Sequence, residues 1–188
     1  GIRCISYIKD SNIIMESRKG VEFKFMDNIR NNIKDILKGH KNIYLDGELY
    51  TQKLPFEVIS GLVRLKDPPT TKQVTDMNKL QYCVYDCIVI DEPDITFTNR
   101  NNILNDLLGN FNKPKYKYIT SIPTEILNKP DEINSKHDLY VEQGYEGLML
   151  RNVNSKYEID KRSKDLQKFK NFIEEEFKIT GFHEGTGD

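Results

Sequence analysis

Several short stretches of this chain carry side chains that can do chemistry. In Ile43–Tyr50, IYLDGELY, Asp46 and Glu48 flank Gly47. As a strand, the stretch puts Ile43, Leu45, Gly47 and Leu49 on one face and Tyr44, Asp46, Glu48 and Tyr50 on the other. The two carboxylates then point the same way, roughly 6–7 Å apart. Such a pair can hold a metal or a sugar hydroxyl, or it can simply face water. Gly47 leaves room for a ligand or another backbone. In Leu166–Lys170, LQKFK, alternation sets Lys168 and Lys170 on one face and Phe169 on the other. Two ammonium groups so placed can clamp a phosphate, or they can form a solvated edge. Glu146 and Arg151 bracket a third short apolar run, EGLMLR.

The averages exclude little. With 188 residues the chain is long enough to bury a core, as one domain or one domain and part of a second. Charged residues make up 30% but cancel to a net charge of −1, so a nucleic-acid surface would have to be local. No apolar run is long enough to span a bilayer, and no membrane partner is expected. Cys4, Cys83 and Cys87 show no metal-type spacing; Cys83 and Cys87 fall on one face of a strand and read as small buried hydrophobes in a reducing, intracellular setting. The abundance of Lys, Asn and Ile agrees with an AT-rich genome, such as that of a virus, a phage or a low-GC bacterium.

The elements that must position these residues follow from pattern. Arg3–Ile8 and Asn12–Ser17 read as a hairpin. Met26, Ile29, Ile33, Ile36 and Leu37 recur at helical spacing and stop at Gly39. Pro55 opens a helix that presents Phe56, Ile59, Leu62 and Val63, and residues 70–80 read as a polar loop. Gln81–Ile90 is a strand apolar on both faces. Next comes a helix with Thr98 as N-cap, Gly109 as stop and a stripe of Ile103, Leu104, Leu107, Leu108 and Phe111. Tyr116–Ile122 reads as a further strand, and Pro130 opens a helix carrying Ile133, His137, Tyr140 and Val141 up to Gly144. His137 lies on the apolar stripe and reads as a core residue. Strands and helices mix without βαβ alternation, so the expected class is α+β with antiparallel-rich sheets flanked by helices.

Taken in order, these stretches resemble the nucleotidyltransferase (adenylation) domain of ATP-dependent DNA ligases, whose superfamily includes RNA ligases and mRNA capping guanylyltransferases. Gly1-Ile2-Arg3 resembles the end of a K-x-D-G-x-R motif, Ser17-Arg18-Lys19-Gly20 an S-R-x-G motif, and Leu45–Leu49 the L-D-G-E-L motif. Tyr82–Ile88 resembles the aromatic-Asp motif, Glu146–Arg151 the E-G-x-x-x-R motif and Leu166–Lys170 the K-x-K motif. The resemblance spans nearly the whole chain. It implies a DNA ligase/mRNA capping nucleotidyltransferase fold, ATP-grasp-like, over residues 1–171, with residues 172–188 opening an OB-fold domain by its first strand.

The resemblance also implies roles. Arg3 reaches the nucleotide, and Tyr85 lies against the adenine ring or packs in the core. Glu48 contacts ribose and metal, and Glu146 is the second metal-side carboxylate. Lys168 and Lys170 hold the reacting phosphate. Asp46 supports its strand, and Gly47 gives the nucleotide clearance. Arg18 binds both the nucleotide and the nick phosphate of the DNA, and Arg151 serves either its own strand or the DNA backbone. The cofactors implied are ATP and Mg²⁺, and the partner is nicked duplex DNA bound by a monomer. The nucleophilic lysine would lie three residues before Gly1, so the 188-residue chain is expected not to adenylate itself. The E-F-x-I-x-G-x-x-E-G-x-G run of residues 176–187 points to a DNA ligase. An RNA ligase, a capping guanylyltransferase and a non-catalytic nucleotide-binding relic are the alternatives.

Overall fold

The structure, a computed structural model, describes residues 1–109, 114–171 and 176–184. The chain divides into two compact units, Gly1–Ile126 with Arg151–Asp165, and Leu127–Leu150 with Leu166–Asp188.

The first unit is built on a five-stranded sheet. β1 (Ile2–Lys9) and β2 (Asn12–Glu16) form the expected hairpin, turned through Asp10 and Ser11 at positive φ. β3 (Ile43–Tyr50) pairs antiparallel with β1 and with β4 (Gln81–Val89), and the short β5 (Ile119–Ser121) lies parallel to β4. The order is β2-β1-β3-β4-β5. Helix α1 (Asp27–Ile36) buries Ile29, Ile33 and Ile36, the face its periodicity gave it. Helix α2 (Phe56–Val63) follows Pro55 and buries Ile59, Leu62 and Val63. Together with Leu104, Leu107 and Leu108 of α4 (Phe97–Gly109), these side chains and the inner face of the sheet make the core.

The structure differs from the sequence pattern in several places. Residues 70–80 are not all loop: Thr71–Met77 form helix α3. It buries no residue, so it has no apolar stripe to announce it; a capping box holds it, with Thr70 Oγ1 accepting from Gln73 N and Gln73 Oε1 accepting from Thr70 N. Helix α4 begins one residue before Thr98, and its first turn is capped by Thr96, whose Oγ1 accepts from Asn99 N. Phe111 lies outside the described residues. The strand over Tyr116–Ile122 shrinks to Ile119–Ser121, preceded by a 3-10 turn at Pro114–Tyr116.

The second unit holds α5 (Pro130–Glu142) and a two-stranded sheet of β6 (Gly147–Arg151) and β7 (Leu166–Lys170). Pro130 sits at the first helical position and Glu132 folds back to accept from Asn128 N and Lys129 N. His137 is 4% exposed and meets the Phe169 ring edge-on at 4.9 Å, the core role its position on the stripe implied. Gly147 has φ +143, and a Cβ there would lie 2.2 Å from the Phe169 carbonyl oxygen, so only glycine lets β7 come this close. Within the stretch read as opening an OB-fold, the described residues 176–184 form no strand, and Phe177, Ile179 and Phe182 are exposed. The remainder of the proposed OB-fold opening, 172–175 and 185–188, lies outside the described residues.

Candidate active site

The site in the first unit grows from the outer face of β3 and from one irregularity in its partner. β3 and β4 pair regularly from Ile43↔Val89 to Asp46↔Asp86; the register then slips, so that Gly47 faces Val84 and Tyr85 has no partner on β3. Tyr85 is a β-bulge, one extra residue on β4. It lets Tyr85 and Asp86 both leave the core face, while Tyr82, Val84, Cys87 and Val89 stay buried beneath it. Cys83 and Cys87 therefore fall on opposite faces, because the bulge breaks the alternation that would have put them together.

Asp46 is the centre of the arrangement. It is 2% exposed, and four donors reach its carboxylate. Oδ1 accepts from Arg3 Nε at 3.0 Å and from the Tyr85 hydroxyl at 3.2 Å. Oδ2 accepts from Arg3 Nη2 at 2.8 Å and from the Tyr157 hydroxyl at 2.7 Å. The bidentate bond to Asp46 holds Arg3 protonated well beyond its ordinary range. Burial, reinforced by the Asp46 charge, pushes the Tyr85 and Tyr157 phenols well up, so both remain donors at any physiological pH. A carboxylate with its acceptor sites taken up in this way has little capacity left for a further ligand.

Glu48, two residues on, keeps its side chain 44% exposed. Gly47 does not supply clearance for a ligand. It lies on the core face, where a Cβ would stand 2.6 Å from the Cys83 carbonyl oxygen and 2.7 Å from the Tyr82 ring. The room is filled by β4 and by Tyr82, whose hydroxyl lies 2.9 Å from the Cys4 carbonyl and 2.8 Å from that of Leu45.

Asp46 faces Asp86 across the β3–β4 pair, and like charges so placed repel. Each has its own counter-ion. Asp86, fully buried, receives Arg100 through Nε at 2.9 Å and Nη2 at 3.3 Å, together with Arg151. Arg100 is 2% exposed, and its Nη1 donates to the carbonyls of Ile95 and Ser155. Arg151 lies 15% exposed between Asp86 and the Phe97 ring, 4.5 Å from the ring centroid. Its guanidinium is thus engaged in the interior of the unit.

Arg18 occupies the exposed turn after β2, closed by Gly20 N donating to Ser17 O and by Val21 N donating to Ser17 Oγ. Its Nη2 donates to the Asp160 carbonyl at 3.3 Å. In the second unit, Lys168 Nζ binds Glu146 Oε2 at 2.7 Å, and this bond, with the Lys168 charge, holds the Glu146 carboxyl below its ordinary range.

The structure thus gathers Arg3, Asp46, Tyr85 and Asp86 in the first unit, with Glu48 on the same strand, and Glu146 and Lys168 in the second. Asp86, Arg100 and Tyr157 carried no assignment from sequence. Asp86 stands inside the aromatic-Asp motif and could have been marked; Arg100 lies on a helix chosen for its leucines, and Tyr157 in a charged loop, with nothing local to single them out. Among the described residues no cluster of three or more His, Cys, Asp or Glu side chains forms a metal cage.

Comparison with known proteins bears on the family and the fold. The DNA ligase of African swine fever virus (isolate Tick/South Africa/Pretoriuskop Pr4/1996) is 28% identical over 190 residues, covering 98% of this chain and 43% of the viral protein. The chain thus spans less than half the length of that relative. The Bacillus subtilis bifunctional non-homologous end joining protein LigD is 26% identical over 204 residues, 100% of this chain and 33% of that protein. The fold matches the ATP-dependent DNA ligase from bacteriophage T7, solved in complex with ATP, with a TM-score of 0.67 at 18% identity, over 90% of this chain and 59% of the phage chain. The family model described as ATP dependent DNA ligase domain matches residues 1–170, nine-tenths of the chain, which therefore belongs to that family.

Proposed function

We propose that the chain is the adenylation domain of an ATP-dependent DNA ligase that seals nicks in duplex DNA. The observation that carries the reading is the Asp46 centre, which fixes Arg3 and Tyr85 beside the exposed Glu48 within a chain matched to this family along residues 1–170.

The chemistry runs in three transfers. A lysine ammonium, placed by the family motif three residues before Gly1, loses its proton and attacks the α-phosphorus of ATP; pyrophosphate leaves. AMP then passes to the 5′-phosphate of a nick, and the 3′-hydroxyl displaces AMP to close the strand. Tyr85, its hydroxyl tied to Asp46, presents a ring of fixed plane for the adenine. Arg3 reaches the nucleotide from an anchored guanidinium, and Glu48 takes the ribose. Lys168 and Lys170 meet the α-phosphate; Lys168 has three N–H donors and can bind Glu146 and a phosphate oxygen together. Arg18, exposed in its turn, suits the nick phosphate. Arg151, held by Asp86 and Phe97, takes the role of anchoring its own strand.

The residues present fit Mg²⁺. Glu48 and Glu146 each offer an accessible hard oxygen donor, and Mg²⁺ ordinarily takes one or two carboxylates with water and substrate phosphates, which needs no protein cage. When bound, Mg²⁺ supplies charge that offsets the phosphate oxygens.

The test is to express the protein from its own reading frame, with whatever precedes Gly1 and follows Asp188. Labelled ATP should attach covalently and be chased by nicked duplex DNA into sealed product. Preference for GTP or for RNA ends would shift the assignment to a capping enzyme or an RNA ligase. Nucleotide binding with no covalent label would make the protein a binding relic. Glu48→Ala should abolish adenylate formation; near-normal label would remove Glu48 from the site.

A further inference from the structure

We propose that Tyr157 is a positioning residue for nucleotidyl transfer: through Asp46 it fixes the guanidinium of Arg3, and the loop it stands on holds Arg18 as well. The inference rests on the ligase reading above.

Three of the four donors to Asp46 come from the sheet itself, two from Arg3 on β1 and one from Tyr85 on β4. The fourth, Tyr157, comes from 111 residues away in sequence, on the segment 152–165, which belongs to no motif. Its hydroxyl donates to Asp46 Oδ2 at 2.7 Å and accepts from Arg3 Nη2 at 3.0 Å. It thus closes a ring of hydrogen bonds with both members of the ion pair. Arg3 is then bound through Nε and Nη2, and Nη1 makes no hydrogen bond among the described residues. The Arg3 side chain remains 41% exposed, so the guanidinium is fixed but still reachable by a ligand.

The segment can hold a tyrosine in place because it is itself anchored. The Ser155 carbonyl accepts from Phe97 N at 2.8 Å and from Arg100 Nη1 at 3.1 Å. The Val153 carbonyl accepts from Thr98 N and from Thr98 Oγ1, both at 3.0 Å. The ends are joined by Asn152 N to Asp165 O at 2.9 Å and by Asn152 Nδ2 to Asp165 Oδ1 at 2.9 Å. Three residues beyond Tyr157, Asp160 adopts φ +56, a conformation uncommon outside glycine, and its carbonyl accepts from Arg18. One strap, fastened to α4, therefore touches the arginine assigned to the nucleotide and the arginine assigned to the nick.

The experiment uses the protein from its full reading frame and follows single-turnover lysyl-adenylate formation against ATP concentration. Tyr157→Phe removes only the hydroxyl. It should lower the maximal rate by about tenfold or more, because the hydroxyl's hydrogen bonds to Asp46 and from Arg3 are both lost, while the half-saturating ATP concentration moves by less than about threefold. Added to Asp46→Asn, the same change should have a smaller effect than in the unaltered protein, since one of its two contacts is with Asp46 and the other needs the Arg3 position that Asp46 fixes. A loss of equal factor in both backgrounds would overturn the proposal, as would a Tyr157→Phe protein that matches the unaltered one. If Tyr157→Phe does not fold, 3-fluorotyrosine at position 157 keeps the ring and makes the hydroxyl a stronger donor; a rate changed by more than about twofold supports the role, and an unchanged rate overturns it. No adenylate from the unaltered protein would refute the ligase reading itself, and this role with it.

Discussion

Gly47→Ala separates two readings of the most motif-like glycine in the chain. If the glycine clears space for a nucleotide, alanine should weaken ATP binding and leave the fold alone. The structure predicts the reverse. An added Cβ would stand 2.6 Å from the Cys83 carbonyl oxygen, 2.7 Å from a Tyr82 ring carbon and 3.0 Å from the Val84 Cα, where ordinary contact begins at 3.4 Å. The first gap is short by about 0.8 Å, and the obstacle is main chain in the centre of the sheet, not the tip of a movable side chain. Tyr82 cannot swing away, since it is fully buried and its hydroxyl is bonded to Cys4 and Leu45. Overpacking of this kind costs about 1–3 kcal/mol, and this site belongs at the upper end. For a chain of this size each kcal/mol lowers Tm by about 2–4 °C, so a fall of about 6–12 °C is expected by circular dichroism. A Tm within about 2 °C of the unaltered protein, with ATP binding lost, would refute the reasoning and restore the clearance reading.

Other consequences can be checked with the same material. Arg100→Met should destabilise the chain by about 3–5 kcal/mol in urea titration, because it leaves the fully buried Asp86 without its bidentate partner; a loss below about 1 kcal/mol would show that Arg151 suffices. The Glu146 carboxyl should titrate by NMR below the ordinary glutamate value of about 4.3. A depressed folded-state value means its contribution is fully present above the unfolded pKa and is lost as pH falls through the lower one. With three-quarters of the Glu146 side chain in solvent, that contribution is small and screened by salt. Lys168→Met should return the midpoint to its ordinary place, and an unmoved midpoint would contradict the pairing. Burial lifts the Cys83 thiol to about 11 and that of Cys87 to about 12, and Cys4 higher still. At pH 8 none should react with an aromatic disulfide reagent faster than the protein unfolds; rapid labelling of any one would show that its strand opens locally.

The parts of the fold legible in the sequence are those governed by local period. Alternation placed Asp46 and Glu48 on one face of β3, and 3.6-residue spacing found α1, α2 and the apolar side of α5. What stayed hidden depended on contacts between distant residues or on one-residue irregularities. Asp86 meets Arg100 across 14 residues and Arg151 across 65, and no local pattern encodes such a pairing. Tyr157 reads as a loop tyrosine until the strap folds it onto Asp46. Counting by twos assigns Cys83 and Cys87 to one face because it assumes a regular ladder. Helix α3 is a different case: its signal, Thr70 followed by Gln73, was present, but a search for apolar stripes passes over a helix that buries nothing.

Tyr85 is supernumerary in the ladder. Remove it on paper, and Val84 follows directly into Asp86: one faces Gly47, the other Asp46, with inward and outward sides unchanged on either flank. The sheet would close without it. A position of that kind is released from the ladder that fixes its neighbours, so the ring stationed there can be chosen for its bond to Asp46 and for what it meets outside the sheet. The strand pair thus carries two inheritances, a frame that cannot tolerate one added methyl at Gly47 of β3 and, one residue beyond the facing Val84 of β4, a site where a whole side chain is optional to the architecture.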